Sequence, residues 1–267
     1  MRSLIFNIFF YAATGLYAVV CVLFSLLPGR KMMMMALQRY TRVIRWGMRV
    51  IAGINVSVEG RSRVPEGVCI LASKHLSFGD GHVIFSVVND LSFVTGNQLL
   101  KIPLLKRILR KMNAIIIDSC GGSDARQEMD DQADLIRDQG RRILIFPEGH
   151  LSQIGTYHRY RKGVWHLYDD FKCPVVPIAS NLGQRWNQTD WQKHPGSATV
   201  EFLEPIAPGL EKDAFMELLQ DRIETRSIEL LDYKNMGALN PADVGQQREN
   251  PAAMASRKKR EAEEKTA

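Results

Sequence analysis

A long apolar run lies near the start of the chain, because residues 4–27 contain no charged side chain. A helix of this length could cross a hydrocarbon core of about 30 Å, so the pattern predicts a membrane-anchoring helix. A cleaved signal peptide is the alternative interpretation. The run is longer than the apolar part of a typical signal peptide, and no small-x-small cleavage site precedes the basic stretch that follows, so an anchor is favoured.

Helical periodicity continues through residues 32–51, where arginines and apolar residues occupy different faces. The apolar residues are Met33, Leu37, Tyr40, Ile44, Met48 and Ile51, and the arginines are Arg42, Arg45 and Arg49. The pattern predicts an amphipathic interfacial helix whose methionine-rich side enters the acyl region while its arginines meet anionic head groups. The alternative is a helix that packs on the soluble core and leaves its arginines in water.

From residue 54 onward short apolar runs alternate with helical segments. This alternation is typical of an α/β domain with a mostly parallel central sheet flanked by helices. The predicted strands cover residues 56–59, 68–72, 91–95, 114–117, 143–146, 175–179 and 198–202. The predicted helices cover residues 81–89, 99–111, 124–139 and 213–232.

After residue 234 charged, small and proline residues dominate, which predicts a disordered basic tail. The basic run of this tail is Arg257, Lys258, Lys259 and Arg260. We therefore expect three parts: membrane-anchoring helices at 1–53, one α/β domain at 54–234 and the tail at 235–267.

Basic residues are more frequent after the apolar run than before it. Arg2 stands alone upstream, and Arg30, Lys31, Arg39, Arg42, Arg45 and Arg49 follow downstream. This asymmetry predicts that the body of the protein lies on the cytoplasmic side of a membrane. The formal net charge of +6 favours anionic partners in general, without choosing among lipid head groups, phosphorylated substrates, acidic carrier proteins and nucleic acid.

The first segment with candidate chemistry joins an apolar strand to a predicted helix. Residues 68–80 read VCILASKHLSFGD, so His75 lies in a short loop after the strand and Asp80 opens the helix. A histidine with a carboxylate partner can act as a general base, because the carboxylate fixes the tautomer and stabilises the imidazolium that forms. Taken alone the His-x-x-x-x-Asp spacing is a weak signal, since Asp80 could simply cap the helix.

The second segment is another apolar strand that ends in a turn. Residues 143–152 read ILIFPEGHLS, so Phe146, Pro147, Glu148 and Gly149 follow the strand directly. Proline and glycine on either side of a glutamate would hold its carboxylate in a tight turn, where it can bind substrate hydroxyls or orient a cationic group. A plain surface turn would look similar.

In this order and separation the two segments resemble motifs of the glycerolipid acyltransferase family, whose bacterial members include the 1-acylglycerol-3-phosphate and other lysophospholipid acyltransferases. Two further blocks are similar. Residues 114–118 (AIIID) resemble the family's strand before an Ile-Asp-Arg element, and residues 176–179 (VPIA) resemble its Val-Pro-Val/Ile strand. The resemblance spans residues 55–228, and four ordered motifs make a chance match improbable.

The resemblance implies roles for individual residues. His75 is similar to the general base that deprotonates the acceptor hydroxyl, Asp80 to its orienting partner, and the turn at residues 146–149 to part of the acceptor site. It implies an acyl donor on acyl carrier protein or coenzyme A, no metal, no bound organic cofactor and no nucleic acid. A lysolipid would be the acceptor, most simply 1-acylglycerol-3-phosphate giving phosphatidate in the inner (cytoplasmic) membrane.

Two departures from the family pattern concern the acceptor. Ser119 stands where the second block has arginine, and His150-Leu151 stand where the third continues Thr-Arg. Arginines bind phosphate bidentately, so their absence opens the choice of head group. The basic residues that could substitute are Arg126, Arg159, Arg161 and Lys162.

Three functions therefore compete. The first is acyl transfer to a lysolipid, either 1-acylglycerol-3-phosphate or another such as a lyso-aminolipid. The second is a membrane-bound thioesterase or lipid hydrolase, against which the absence of a Gly-x-Ser-x-Gly motif counts. The third is a noncatalytic lipid-binding protein, against which the presence of His75, Asp80 and Glu148 together counts.

Overall fold

The computed structural model describes residues 1–117 and 123–249. Asp118, Ser119 and the basic run at residues 257–260 lie outside the described residues, as does the side chain of Arg126. The α-helices are α1 (Arg2–Ser25), α2 (Lys31–Gly47), α3 (Gly79–Val87), α4 (Pro103–Met112), α5 (Ser123–Asp138), α6 (Gly163–Phe171) and α7 (Lys212–Glu229).

The strands are β1 (Ile54–Glu59), β2 (Ile70–Ser73), β3 (Leu91–Gly96), β4 (Ile115–Ile117), β5 (Arg142–Ile145), β6 (Thr156–His158), β7 (Val175–Ser180), β8 (Gly196–Phe202) and β9 (Gln246–Arg248). The main sheet has seven strands in the order β1-β8-β7-β2-β5-β3-β4. Strands β7, β2, β5, β3 and β4 are mutually parallel, whereas β8 runs antiparallel to β7. The predicted α/β class with a mostly parallel sheet is confirmed.

Helices cover both faces of the sheet, which explains why β2 and β7 are buried at every position. Side chains alternate between the two faces along a strand. Leu71 therefore belongs to the core shared with α1, α2 and α3, and its neighbour Ile70 belongs to the core shared with α6 and α7. Because β2 is central, the loop that follows it is held firmly.

The predicted anchor helix α1 packs against the rest of the protein along its length. Phe6 is fully buried in the main core, Thr14 Oγ1 lies 2.7 Å from the Tyr40 hydroxyl, and Arg107 Nε donates to Ser25 Oγ at 2.6 Å. Residues before 54 therefore contribute to the main hydrophobic core, which is not confined to the predicted α/β domain. The opposite side of α1 is exposed and apolar, and its exposed residues include Leu4, Ile5, Ile8, Tyr11, Leu16, Val19 and Leu23.

The apolar stripe predicted in the second helix points into the protein. Met33, Ile44 and Met48 are fully buried, so this stripe packs against protein rather than acyl chains. Arginines from the other face reach backbone oxygens, since Arg45 donates to the Val56 carbonyl at 3.1 Å. The exposed apolar residues of α2 are instead Met32, Met35 and Trp46. The helix ends at Gly47 and continues as one π-helical turn at Met48–Ala52.

The predicted disordered tail is wrong for residues 235–249. Strand β9 pairs in parallel with β6, and Leu239 packs in a small core with Leu76, Ile154 and Leu231. The composition of this segment is poor in apolar residues, but Met236, Ala238 and Val244 pack beside Leu239 in this core, and the backbone pairs with β6. The rest of the predicted tail lies outside the described residues.

Candidate active site

The end of β2 brings the two predicted catalytic residues together. His75 lies two residues after β2, at the carboxyl edge of the parallel strands, which is where α/β proteins usually place their sites. Asp80 lies in the first turn of α3 and is 1% exposed. The distance between His75 Nδ1 and Asp80 Oδ2 is 3.3 Å. The pair predicted from spacing alone is thus a physical contact.

Asp80 also organises the loop that carries the histidine. Its Oδ2 accepts hydrogen bonds from the backbone N–H groups of Leu76 at 2.7 Å and Ser77 at 2.8 Å. Its Oδ1 accepts from Ser180 Oγ, at the end of β7, at 3.3 Å. Asp80 does not cap α3, because the N–H groups that it binds belong to the loop before the helix. One carboxylate therefore holds the backbone of the loop and also contacts the ring of His75.

The His75 ring is fixed on its flat side by Phe146. The two ring centroids are 3.8 Å apart and the planes are inclined by 17°. The side chain of His75 keeps 19% exposure. With Nδ1 directed at Asp80, Nε2 is the nitrogen that can accept a proton from a substrate hydroxyl.

The turn after β5 lies beside this loop because β5 is the sheet neighbour of β2. The backbone N–H of Gly149 donates to the Phe146 carbonyl at 2.9 Å, and the N–H of Arg161 donates to the Pro147 carbonyl at 2.8 Å. Gly149 has a φ of +75°, and a Cβ there would lie 2.5 Å from Arg161 Nε. The positive φ favours glycine at this position, and the end of the Arg161 side chain packs directly against the turn.

Glu148 points inward rather than toward an open site. Glu148 is fully buried, and its Oε1 lies 3.0 Å from Lys74 Nζ. Its Oε2 accepts hydrogen bonds from Ser152 Oγ at 2.5 Å and from the His158 N–H at 2.8 Å. Of the two roles predicted for this carboxylate, the geometry favours orientation of a cationic group. A direct contact with substrate through the Phe146–Gly149 turn stays a prediction.

The cation that Glu148 contacts is Lys74, which was not predicted from the sequence. Lys74 Nζ also contacts Glu224 Oε2, on α7, at 2.8 Å, and Glu224 Oε1 accepts from the Tyr160 hydroxyl at 2.7 Å. The available signal was that Lys74 directly follows the apolar strand β2, because a lysine that is buried there needs a carboxylate partner.

Three further histidines, His82, His150 and His158, have other surroundings than His75. His82 contacts the Phe78 carbonyl and the Tyr40 hydroxyl, at 2.8 and 3.1 Å. His150 and His158 are in ring contact with centroids 4.1 Å apart, and burial lowers the pKa of His150 to about 4. Within residues 1–117 and 123–249 no three His, Cys, Asp or Glu side chains are grouped as a metal site.

Comparison with known proteins agrees with the fold and the motifs. A family model described as Acyltransferase matches residues 55–181. The 1-acyl-sn-glycerol-3-phosphate acyltransferase of Pseudomonas aeruginosa is 30% identical over 201 residues, which cover 75% of this chain and 78% of the relative. The enzyme of the same name from Saccharomyces cerevisiae is 24% identical over 220 residues, covering 79% of this chain and 72% of the relative.

The fold also has a solved counterpart. The crystal structure of the 1-acyl-sn-glycerophosphate acyltransferase of Thermotoga maritima is similar with a TM-score of 0.71 at 21% identity, over 86% of this chain and 98% of that one. This α/β domain, with its ordered motifs, is an acyltransferase. The chain belongs to the 1-acyl-sn-glycerol-3-phosphate acyltransferase family, as the sequence motifs predicted.

Proposed function

We propose that the chain transfers a fatty acyl group from an acyl thioester to the free hydroxyl of 1-acylglycerol-3-phosphate and so forms phosphatidate. The observation that carries the proposal is the contact of His75 Nδ1 with Asp80 Oδ2 at the carboxyl edge of the sheet. Relatives named for this acceptor along three quarters of the chain support the choice of substrate.

The proposed reaction needs a base and its partner. His75 Nε2 takes the proton of the acceptor hydroxyl while the oxygen attacks the thioester carbonyl carbon. Asp80 keeps the other proton on Nδ1 and stabilises the imidazolium. When the tetrahedral adduct collapses, the carbon–sulfur bond breaks and the leaving thiolate takes the proton from the imidazolium. The donor is an acyl thioester of acyl carrier protein or coenzyme A, and we propose no bound cofactor.

We propose Arg161 as the substitute for the arginines that the motifs lack. Its side chain packs against Gly149, within the turn whose Phe146 stacks on His75. A guanidinium group at this place can bind a phosphate monoester bidentately near the hydroxyl that reacts. This placement favours a phosphate-bearing acceptor over a lyso-aminolipid.

We also propose that the protein acts from the cytoplasmic leaflet of the inner membrane. The residues Leu4, Ile8 and Leu16 on the outer side of α1 are exposed and apolar, which suits burial in acyl chains. Because the other side of α1 is packed on the catalytic unit, an arrangement within one leaflet fits better than a free-standing span. That arrangement brings the lipid acceptor beside the site.

The function is tested with purified full-length protein in detergent, a labelled acyl donor and a set of acceptors. The set contains 1-acylglycerol-3-phosphate, a neutral lysophospholipid and a lyso-aminolipid, with an acceptor-free control. We expect labelled phosphatidate as the main product. Labelled free fatty acid without ester product would indicate a hydrolase instead, and ester formation only on the lyso-aminolipid would reject the proposed acceptor.

A further inference from the structure

A buried ammonium group lies directly beside the proposed catalytic base. Lys74 precedes His75 in the chain, and its side chain is only 2% exposed. Its Nζ lies 3.0 Å from Glu148 Oε1 and 2.8 Å from Glu224 Oε2, and it donates to the Thr156 carbonyl at 2.9 Å. A buried charge is costly unless it is paired in this way, so these contacts hold Lys74 in one place.

The partners of Lys74 come from distant parts of the chain. Glu148 belongs to the turn after β5, and Glu224 belongs to α7. The hydroxyl of Tyr160 donates to Glu224 Oε1 at 2.7 Å. We call Lys74, Glu148, Glu224 and Tyr160 the Lys74 cluster. It joins the end of β2, the turn after β5 and the last long helix through one buried cation.

The cluster reaches His75 by two short routes. Glu148 lies in the same tight turn as Phe146, whose ring stacks on His75 at 3.8 Å. Ser152 donates its hydroxyl to Glu148 at 2.5 Å, and its backbone N–H donates to the His75 carbonyl at 2.8 Å. A shift of Glu148 would therefore move contacts on the ring of His75 and on its backbone.

The charges of the cluster do not balance when both carboxylates are ionised. Two carboxylates then face one ammonium group in a buried space, and like charges at this distance disfavour double ionisation. Burial raises the pKa of Glu224 to about 7, Lys74 opposes this rise and Glu148 adds to it. Burial also raises the pKa of Tyr160 far above its usual value, so the phenol stays neutral.

Further titratable groups outside the Lys74 cluster lie near Glu148. They are His150, His158 and Arg161, of which His150 stays uncharged at neutral pH because burial lowers its pKa to about 4. The Nδ1 of His158 is paired with the Arg248 carbonyl at 2.9 Å. The groups that face Glu224 itself are Lys74, Glu148 and Tyr160.

We propose that Lys74 is a positioning residue for acyl transfer, and that the Lys74 cluster fixes His75 against the Phe146 turn while Glu224 holds one proton. Loss of this proton leaves two buried carboxylates beside a single ammonium group. Their repulsion displaces Glu148 and loosens the turn. The kinetic consequence rests on the proposed function, whereas the structural consequence does not depend on it.

The structural consequence is measured by hydrogen–deuterium exchange of the full-length protein in detergent. After correction for the intrinsic effect of pH, exchange in residues 146–158 of the native protein should rise about tenfold between pH 6.5 and 8.5, as expected for loss of one proton. Glu224→Gln removes the titrating carboxylate and should abolish this rise. An equal rise in both proteins, or no rise in the native protein, would overturn the proposal.

The kinetic consequence is measured as kcat/KM for the lysolipid acceptor across the same pH range. The value of kcat/KM should decline above pH 7 in the native protein and stay constant over that range in Glu224→Gln. Protonation of a histidine base lowers kcat/KM at acidic pH in both proteins, so the two effects can be told apart. If the native protein acylates no lysolipid, the proposed function fails, and the exchange experiment still decides the structural claim.

A matched control separates positioning from stability. Lys74→Met should lower kcat about 100-fold, because small misplacements of a catalytic group are costly. The control is Arg141→Met. Arg141 is also a buried cation, 2% exposed, but it lies just before β5, at the amino-terminal end of that strand and away from His75. Equal losses of kcat in the two variants at equal Tm would show a merely structural role and contradict the proposal.

Discussion

At the scale of single residues, substitutions can separate the catalytic role that we propose for Asp80 from its structural role in the loop. Its carboxylate faces His75 Nδ1 and also accepts two backbone hydrogen bonds from the loop. Asparagine keeps an oxygen that can accept the backbone bonds but lacks the charge that stabilises an imidazolium. The catalytic role therefore depends on the charge, and the structural role depends on the oxygen.

We expect Asp80→Asn to lower kcat about 100-fold while the Tm changes little. Asp80→Ala should lower kcat similarly and also reduce the free energy of unfolding by a further 1–2 kcal/mol or so, because the loop N–H groups lose their acceptor. Steady-state rates and thermal unfolding in detergent measure both effects. A kcat of Asp80→Asn within threefold of the native value would contradict the orienting role.

Arg161 is predicted to determine the affinity for the acceptor. Arg161→Ala should raise the KM for 1-acylglycerol-3-phosphate by about 10- to 100-fold with a smaller effect on kcat, since a charge-assisted pair with phosphate is lost. Arg161→Lys should restore part of the affinity because lysine keeps the charge but not the bidentate geometry. Exposed Arg159 provides the control, and Arg159→Ala should leave KM nearly unchanged. Equal KM changes in the Arg159 and Arg161 alanine variants would reject the assignment.

The sequence was most informative about residues whose chemistry depends on local spacing. His75 and Asp80 are five residues apart, so one loop and one helical turn bring them together. Lys74 and Glu224 are 150 residues apart, and their contact depends on how α7 packs on the sheet. No local pattern encodes such a contact.

At the scale of elements, the hydrophobic pattern predicted the strands of the main sheet better than it predicted the short elements around them. The apolar runs of β2, β5 and β7 identified buried strands, because both faces of a parallel sheet are covered. The antiparallel direction of β8 was not predicted, since a strand has the same pattern in either direction. The short strands β6 and β9 were also missed, because their residues are mostly polar. Helix α6 was not among the predicted helices, although Val164, Leu167, Tyr168 and Phe171 have helical spacing and are buried.

Helix α1 illustrates that composition does not show how an element divides its contacts between two surroundings. Its hydropathy predicted a separate anchor, yet Phe6 belongs to the main core and packs edge-on against Trp186, with ring centroids 5.1 Å apart. The apolar sequence serves two surroundings at once, the protein core on one side and the proposed membrane on the other. Hydropathy summed over a window does not separate the two sides.

This packing predicts a stability effect from within the supposed anchor. Phe6→Ala should reduce the free energy of unfolding by about 3–5 kcal/mol, as for other buried aromatic residues. Ile8→Ala, on the exposed side of the same helix, should change it by less than about 0.5 kcal/mol in detergent. Thermal or denaturant unfolding of both variants measures the difference. Equal effects would mean that α1 does not contribute to the core.

At the scale of the whole molecule, the described residues of the three parts expected from the sequence pack together. Residues 1–53 contribute core residues such as Phe6 and Ile44, and Leu239 after the last helix packs on the active-site loop through Leu76. The loop with His75 is thus held from the N-terminal side, the sheet and the C-terminal segment. This arrangement connects the exposed apolar side of α1, which we propose faces the membrane, with the proposed acceptor site.

The central claim is that His75 acts as the general base of acyl transfer, and comparison of two histidines tests it most directly. His194 is a suitable control because its Nε2 lies 3.2 Å from Asp190 Oδ2 and its side chain is 26% exposed, close to the surroundings of His75. Formation of labelled ester from acyl thioester and 1-acylglycerol-3-phosphate is measured for both alanine variants. We predict that His75→Ala loses product formation by at least about 100-fold while His194→Ala keeps it. Retained activity in a folded His75→Ala variant would contradict the account.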